Sequence, residues 1–424
     1  MTLILAALRV ALALSAALVC APPAVAEGIE LSGQVRPEWF VQHANGAGPL
    51  GQAVSLLPGL APVPRDYGAV ETELRASGHG VLLVATERIQ RIAGDRLRSH
   101  GWVNELYASK LAGGWNFSGG KRIVGWDVGY GFRPNDVVEQ EVRRTLLQVT
   151  PEGRAMLMAE YFDASTAWSF VFVNPTKERN SLGPNEPAFA MRVYAHDGAV
   201  DWHGFARVGA HTGGSVGAAA AWVASDSVEL HASMRYLTRA DTLANTSANG
   251  TASATLLPAT PWQPSSVQHT AQALVGGTWT NATQVSVLVE AWWDGTALSD
   301  SQWDAWTARN RGLAALVGSP APIGAVAGNL AWQANAFGAS NGSMNLRRAN
   351  LFGRISWQYE KWEPSLDMLF TPADRGRVVT AALGWQGDRM RVDTGWRTYG
   401  GPADSLLAQT PTRRIAYVAG TWSY

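Results

Sequence analysis

The stretch Val228-Glu229-Leu230-His231-Ala232-Ser233-Met234-Arg235-Tyr236 alternates apolar and polar side chains without a break. Successive residues of a strand point to opposite faces, so Val228, Leu230, Ala232, Met234 and Tyr236 form one face. Glu229, His231, Ser233 and Arg235 form the other. The rhythm returns further on. Val285, Val287, Val289, Ala291 and Trp293 oppose Gln284, Ser286 and Glu290. Leu351, Ile355, Trp357 and Tyr359 oppose Arg354, Ser356 and Glu360, and Met390, Val392 and Trp396 oppose Arg391, Asp393 and Arg397. Aromatic residues tend to end the stripes. Two all-β arrangements bury such faces: a soluble sandwich, or a barrel that turns its apolar face to lipid and its polar face to a water-filled lumen.

The composition favours the barrel. There are 19 Trp and 44 Gly, in keeping with aromatic girdles and many tight turns. After residue 26 no run of about 18 apolar residues occurs, which argues against membrane-spanning helices. Residues 1–26 are nearly all apolar, carry the single cation Arg9 and close on Ala24-Val25-Ala26, a small-x-small cleavage pattern. The expectation is a secretory signal over 1–26 followed by one barrel domain over 27–424. A lipid anchor at Cys20 is disfavoured by the bulk of Leu18 and Val19 before it. Cys20 is the only cysteine, so disulfides and thiol chemistry are not expected. Basic and acidic residues number 34 each, which gives no basic footprint for nucleic acid.

The chain's last strand places Ala416, Val418, Gly420, Trp422 and Tyr424 on one face. Trp422 and Tyr424 are the expected signal for the barrel-insertion machinery. The fold class read from the sequence is an all-β, antiparallel transmembrane barrel of a bacterial outer membrane, with both termini periplasmic. Its strand count is about 18, with 16 the other even solution. The count sets 328–339 aside as a strand, because including it gives an odd total, and assigns 295–345 to one outer loop with a local hairpin or helix near Trp303 to Arg309. Short turns then fall at one end. The long connections 43–67, 125–152, 174–186, 240–266, 295–345 and 400–412 all fall at the other, and 240–266, rich in Thr, Ser, Ala and Pro, reads as a mobile loop.

The segment from Gly120 through Lys121, Arg122, Trp126, Asp127, Gly131, Arg133, Pro134, Asn135 and Asp136 to Val137, with Asn104-Glu105-Leu106-Tyr107 upstream, resembles porin-like barrels of the alginate-export type. There a Gly-Arg/Lys strand end runs into a Trp-Gly turn and an Asn-Pro-x-Asp loop. Here Asp127 replaces the usual Gly, and Pro134-Asn135 reverses the usual order. The resemblance implies an 18-stranded barrel passing anionic polysaccharide or small solutes. From the residues themselves, Gly and Pro clustering predicts a sharp turn after the strand. Lys121, Arg122, Trp126, Asp127, Arg133 and Asp136, with Arg143 and Arg144, are candidates for an inward-folded constriction; the alternative is a solvated outer loop.

Arg192, Arg207, Arg235, Glu229, Glu290, Arg354, Arg391, Asp393 and Arg397 are the candidate pore-lining residues, and mixed signs also suit wall-bracing ion pairs. His196, His203, His211 and His231 fall on inward positions without a ligand pair at fixed spacing, so no metal or cofactor is expected. No G-x-S-x-G motif occurs, and Asp201 beside His203 reads equally as lumen wall, so no catalytic residue is assigned. The expected partners are outer-membrane lipid, the insertion machinery and a hydrophilic solute. A channel leads; a non-conducting structural or assembly barrel is second, and a barrel enzyme third.

Overall fold

The computed structural model describes residues 28–138, 146–147, 151–175, 177, 185–248, 251, 256, 260–337 and 345–424. The expected signal (1–26), Arg143 and Arg144 lie outside them. Eighteen antiparallel strands close into one barrel. They are β1 (Glu30–Ala44), β2 (Tyr67–Gly78), β3 (Val81–Ile92), β4 (Leu97–Ala112), β5 (Trp115–Arg122) and β6 (Arg154–Phe162). Next come β7 (Thr166–Val173), β8 (Ala188–Asp197), β9 (Val200–Gly209), β10 (Gly213–Ser225), β11 (Val228–Asn245) and β12 (Trp262–Thr280). Last are β13 (Val285–Asp294), β14 (Ala349–Trp357), β15 (Trp362–Thr371), β16 (Gly376–Gln386), β17 (Met390–Gly400) and β18 (Thr412–Ser423). Each strand pairs with its sequence neighbour, and β1 also pairs with β18, which leaves no edge.

The faces follow the two-residue period. On β11, His231 and Ser233 are buried inside, whereas Met234 is 61% exposed outside. Leu157, Phe189, Val216, Val275 and Val289 continue this exposed apolar belt around the barrel. Trp168, Trp202, Trp222, Trp279, Trp357 and Trp422 ring the end with the short turns, and Trp39, Phe189, Trp293 and Trp396 stand nearer the other. An apolar belt with aromatic rims is a surface for lipid, so the strands cross a bilayer; among the described residues no helix is long and apolar enough to do so. The seam ends at Tyr424, which exchanges two backbone hydrogen bonds with Gly33 (3.0 and 3.2 Å). A side chain at Gly33 would meet the Tyr424 ring and the Glu73 carbonyl at 2.5–2.7 Å, so the glycine makes room for the aromatic residue opposite it.

The long connections gather at one end and three of them pack together. Helix α1 (Pro49–Leu56), α2 (Asp300–Ala315) and α3 (Ile323–Gln333) share a core of Ala53, Leu313, Val326 and Leu330. A second core joins Trp303 and Trp306 of α2 to Trp262 of β12 and Leu406. Of the hairpin or helix expected near Trp303 to Arg309, the structure has the helix, begun by a Ser299–Gln302 capping box. Segment 328–339 is helical where described, which keeps the count even. β11 and β12 pair as far as Asn245 and Trp262, so the 240–266 connection is shorter than its composition suggested.

Candidate functional site

After β5 the chain turns into the lumen, and residues 123–138 lie against the inner wall. The wall is shaped for this segment. Ser215, Gly217, Ala219 and Ala221 give β10 an inward row of small residues. A Cβ at Gly217 would collide with Asn135 Oδ1 and come within 2.6 Å of the Met234 carbonyl. One at Gly276 would meet Glu290 Cγ and His231 Nε2 at 2.6–2.7 Å. These two glycines therefore leave room for the loop and for the groups that hold it.

Hydrogen bonds centred on Glu290, Ser233 and Arg235 fasten the loop to β10–β13. The Tyr130 and Gly131 backbone N–H groups donate to Glu290 Oε1 and Oε2, each at 2.6 Å, and His231 Nε2 lies 2.9 Å from the same carboxylate. Glu290 is 0% exposed, and a carboxylate binding two backbone donors replaces much of its lost hydration. Asn135 Nδ2 donates to Ser233 Oγ and the Met234 carbonyl, both at 2.9 Å. Ser233 Oγ in turn donates to Asp127 Oδ2 at 2.9 Å. Arg235 Nη1 donates to the Pro134 carbonyl at 3.2 Å while its other nitrogens reach Ser215.

Within the loop, Asp136 Oδ1 accepts from the Trp126 and Asp127 backbone N–H groups at 3.0 and 3.1 Å. Its other oxygen lies 3.2 Å from Arg133 Nη1, and Arg133 also donates to the Asp127 carbonyl. Asp127 accepts from the Asn135 and Val128 backbone N–H groups. Burial pushes the Asp136 carboxyl up to about 6, against the pull of Arg133, and raises Asp127 as well. The loop is a self-braced knot rather than a strand of free charges.

Apolar packing does the rest. Val124, Trp126, Val137 and Val138 lie on Met156, Met158, Val171, Val173, Ala188, Ala190 and Phe205 of β6–β9. Phe132 stacks on Trp292 and Tyr130 on Phe352, with ring centroids 5.9 and 5.8 Å apart. Further along the same connection, Leu146 and Leu147 pack with Phe40, Tyr67 and Tyr417 on β1, β2 and β18. The connection therefore reaches both sides of the lumen. The inward face of β6–β9 departs from the polar lining expected of a water-filled barrel because the loop, not water, covers it.

The sequence-derived candidates divide by place. Trp126, Asp127, Arg133 and Asp136 belong to the buried knot. Arg122 turns inward at the end of β5 to Ser118 (3.0 Å) and Glu160 (3.1 Å), whereas Lys121 pairs with Glu152 at the rim. Glu290 and Arg235 anchor the loop, and Arg354 donates to the Tyr130 hydroxyl at 2.9 Å. Arg207 binds Glu186, where hydrogen bonds from Thr212 and the Arg207 cation outweigh burial and hold the carboxyl below its usual range. Arg391 pairs with Asp393 and Glu363, and Arg397 donates to Thr380 at 2.8 Å. Glu229 lies half-exposed, 3.7 Å from His231, and Arg192 stacks over Tyr194 at 5.5 Å. Of the four histidines, His196, His211 and His231 each lie 2.8–2.9 Å from a carboxylate, of Asp201, Asp241 and Glu290. Trp422 and Tyr424 face outward at the seam, with rings 5.7 Å apart. Sequence reasoning missed Asn135 and Ser233 as anchors; the signal was the small-residue run Gly213–Ala221, half of which faces inward.

The chain matches no protein-family model and no curated protein. Among solved structures it is similar to a mutant of the Rhodopseudomonas blastica porin, at 12% identity over 93% of this chain and 100% of that one, with a TM-score of 0.43. It is also similar to Salmonella typhi OmpF in complex with daunomycin, at 9% identity over 93% and 97% of the two chains, with a TM-score of 0.43. Neither similarity carries an argument about what the lumen admits.

Proposed function

We propose that the protein is an outer-membrane channel for passive passage of hydrophilic solutes, with both termini periplasmic and the segment 123–138 as its constriction. The observation that carries this reading is the loop's attachment: a closed barrel whose inner wall is recessed at Gly217 and Gly276 to seat a loop held by Glu290, Ser233 and Arg235. A loop seated inside a wide barrel narrows the water path and sets what can pass. The wall on the side of β14–β18 carries Arg354, Asp367, Arg391, Asp393 and Arg397, a lining of both signs that suits polar solutes. Export of an anionic polysaccharide is the finer form of the proposal, supported by the resemblance of residues 120–137 to alginate-export barrels.

A second reading, a non-conducting structural barrel, is favoured by the connection's packing on both sides of the lumen. Planar-bilayer recording separates the two. The channel reading expects steady single-channel steps that grow when residues 125–137 are shortened. Silence from the intact protein and the shortened one alike refutes it.

A further inference from the structure

On the outside of the barrel, at the long-loop end of the seam, a cleft of about 560 Å³ is lined by His43, Ala44, Trp396, Thr398, Arg413 and Arg414. Three strands build it. His43 of β1 and Thr398 of β17 both lie opposite Arg414 of β18, so the three share the outward face. Between β1 and β18 the register shifts at this point: His43 pairs with Arg414, but Ala44 pairs with Thr412, leaving Arg413 as an extra, bulged residue. A bulge re-aims its side chain, and here it brings a second arginine to the cleft that strict alternation would have turned inward.

The electrostatics point to an anion. Both arginines are exposed, no carboxylate lines the cleft, and among the described residues neither guanidinium has a carboxylate within salt-bridge distance. Elsewhere in the barrel Arg36, Arg88, Arg122, Arg207, Arg354 and Arg391 all have one. The Arg414 guanidinium lies over the Trp396 indole, 5.7 Å from its centroid, which fixes its position without neutralising its charge. The height is also telling. Val418, Ala416 and Trp396 mark the lipid-facing stripe below, and Arg414 follows two residues beyond Ala416, just past the aromatic rim. That is where lipid headgroups meet the protein.

We propose that this cleft binds the phosphate headgroup of an anionic lipid in the leaflet at the long-loop end. Arg413 and Arg414 provide forked donors matched to phosphate oxygens, His43 and Thr398 provide further polar groups, and Trp396 packs beside the glycerol or sugar next to the phosphate. Inorganic phosphate shares the recognised chemistry but lacks the part that Trp396 contacts.

The test uses the full chain in neutral detergent, titrated with dioctanoyl phosphatidic acid, dioctanoyl phosphatidylcholine or inorganic phosphate, with bound adducts counted by native mass spectrometry. Phosphatidic acid should bind best, R414A should weaken it about tenfold or more, and the R413A/R414A double variant should remove it. R98A, at the exposed β3–β4 tip, should leave binding unchanged, and retained heat-modifiable gel mobility should show that each variant is folded. Equal binding of phosphatidylcholine, equal binding of inorganic phosphate, an equal loss in R98A, or full binding by the folded double variant would each overturn the proposal.

Discussion

Replacing Glu290 with glutamine should loosen the lumenal loop while leaving the barrel intact. The carboxylate receives the Tyr130 and Gly131 N–H groups at 2.6 Å each and is wholly buried. An amide of the same shape offers one acceptor oxygen and turns an NH2 donor toward the second N–H group. One charge-assisted hydrogen bond is lost and one buried donor goes unpaired, together about 2–4 kcal/mol. At 1.4 kcal/mol per decade, that moves the docking equilibrium roughly 30- to 700-fold toward the released loop. The ladder bonds of β13 use backbone atoms and are untouched, so the folded fraction should not change. Two assays read the result: the chymotrypsin nicking rate at Tyr130 and Phe132, and current noise in planar bilayers. Both should rise in E290Q. A folded E290Q barrel with wild-type nicking and wild-type noise would refute the assignment of Glu290 as the anchor.

Other outcomes follow from the same geometry. G217V places a branched side chain where Asn135 sits and against the Met234 carbonyl, and should displace the loop and enlarge the single-channel step while costing the barrel about 1–3 kcal/mol, read as a lower transition temperature on semi-native gels. Because the docked loop raises the Asp136 carboxyl to about 6, docking takes up a proton between the ordinary carboxylate value and that point. The docked state should therefore weaken as pH rises from about 4 through 6. Nicking, normalised to chymotrypsin cleavage of an exposed reference peptide at the same pH, should be slower at pH 4.5 than at pH 7, and D136N should reduce that difference, with Asp127 supplying what remains. G33A forces a methyl into the Glu73 carbonyl and the Tyr424 ring at the seam, and should cost about 1–3 kcal/mol, read as a lower transition temperature on semi-native gels.

Strand order and facing were legible in the sequence because both depend on local periodicity. Val228 to Tyr236 and Val285 to Trp293 declare their faces within nine residues, and parity, with the side on which the long segment 295–327 would fall, sets 328–339 aside from the count. The seat of the loop was less legible. Asp127, Arg133 and Asp136 are legible as loop charges, but the wall groups that hold the loop, Ser233 to Asp127, Glu290 to Gly131 and Arg235 to Pro134, lie about 100 or more residues from what they bind. Such pairings leave no periodic trace. Met156, Met158, Val171 and Val173 alternate like any strand residues, and only the docked loop explains why apolar groups face the lumen there. The packed helices of the long connections were visible only at Trp303 to Arg309, since their core draws on α1, from a different connection.

The seam carries a consequence for assembly. β1 and β18 stand at opposite extremes of the strand sequence, so the ladder from Gln34–Ser423 to Ala44–Thr412 joins the most distant segments of all. Hairpins between sequence neighbours close with far less entropy loss than this ladder does. A strip of neighbouring hairpins can exist open-sided before the two ends zip together. While it is open, the segment after β5 can settle onto β10–β13 from the side; once Tyr424 meets Gly33, the only entrances left are the two mouths. The order of events in the membrane, loop first and seam last, would then decide whether the interior is furnished correctly.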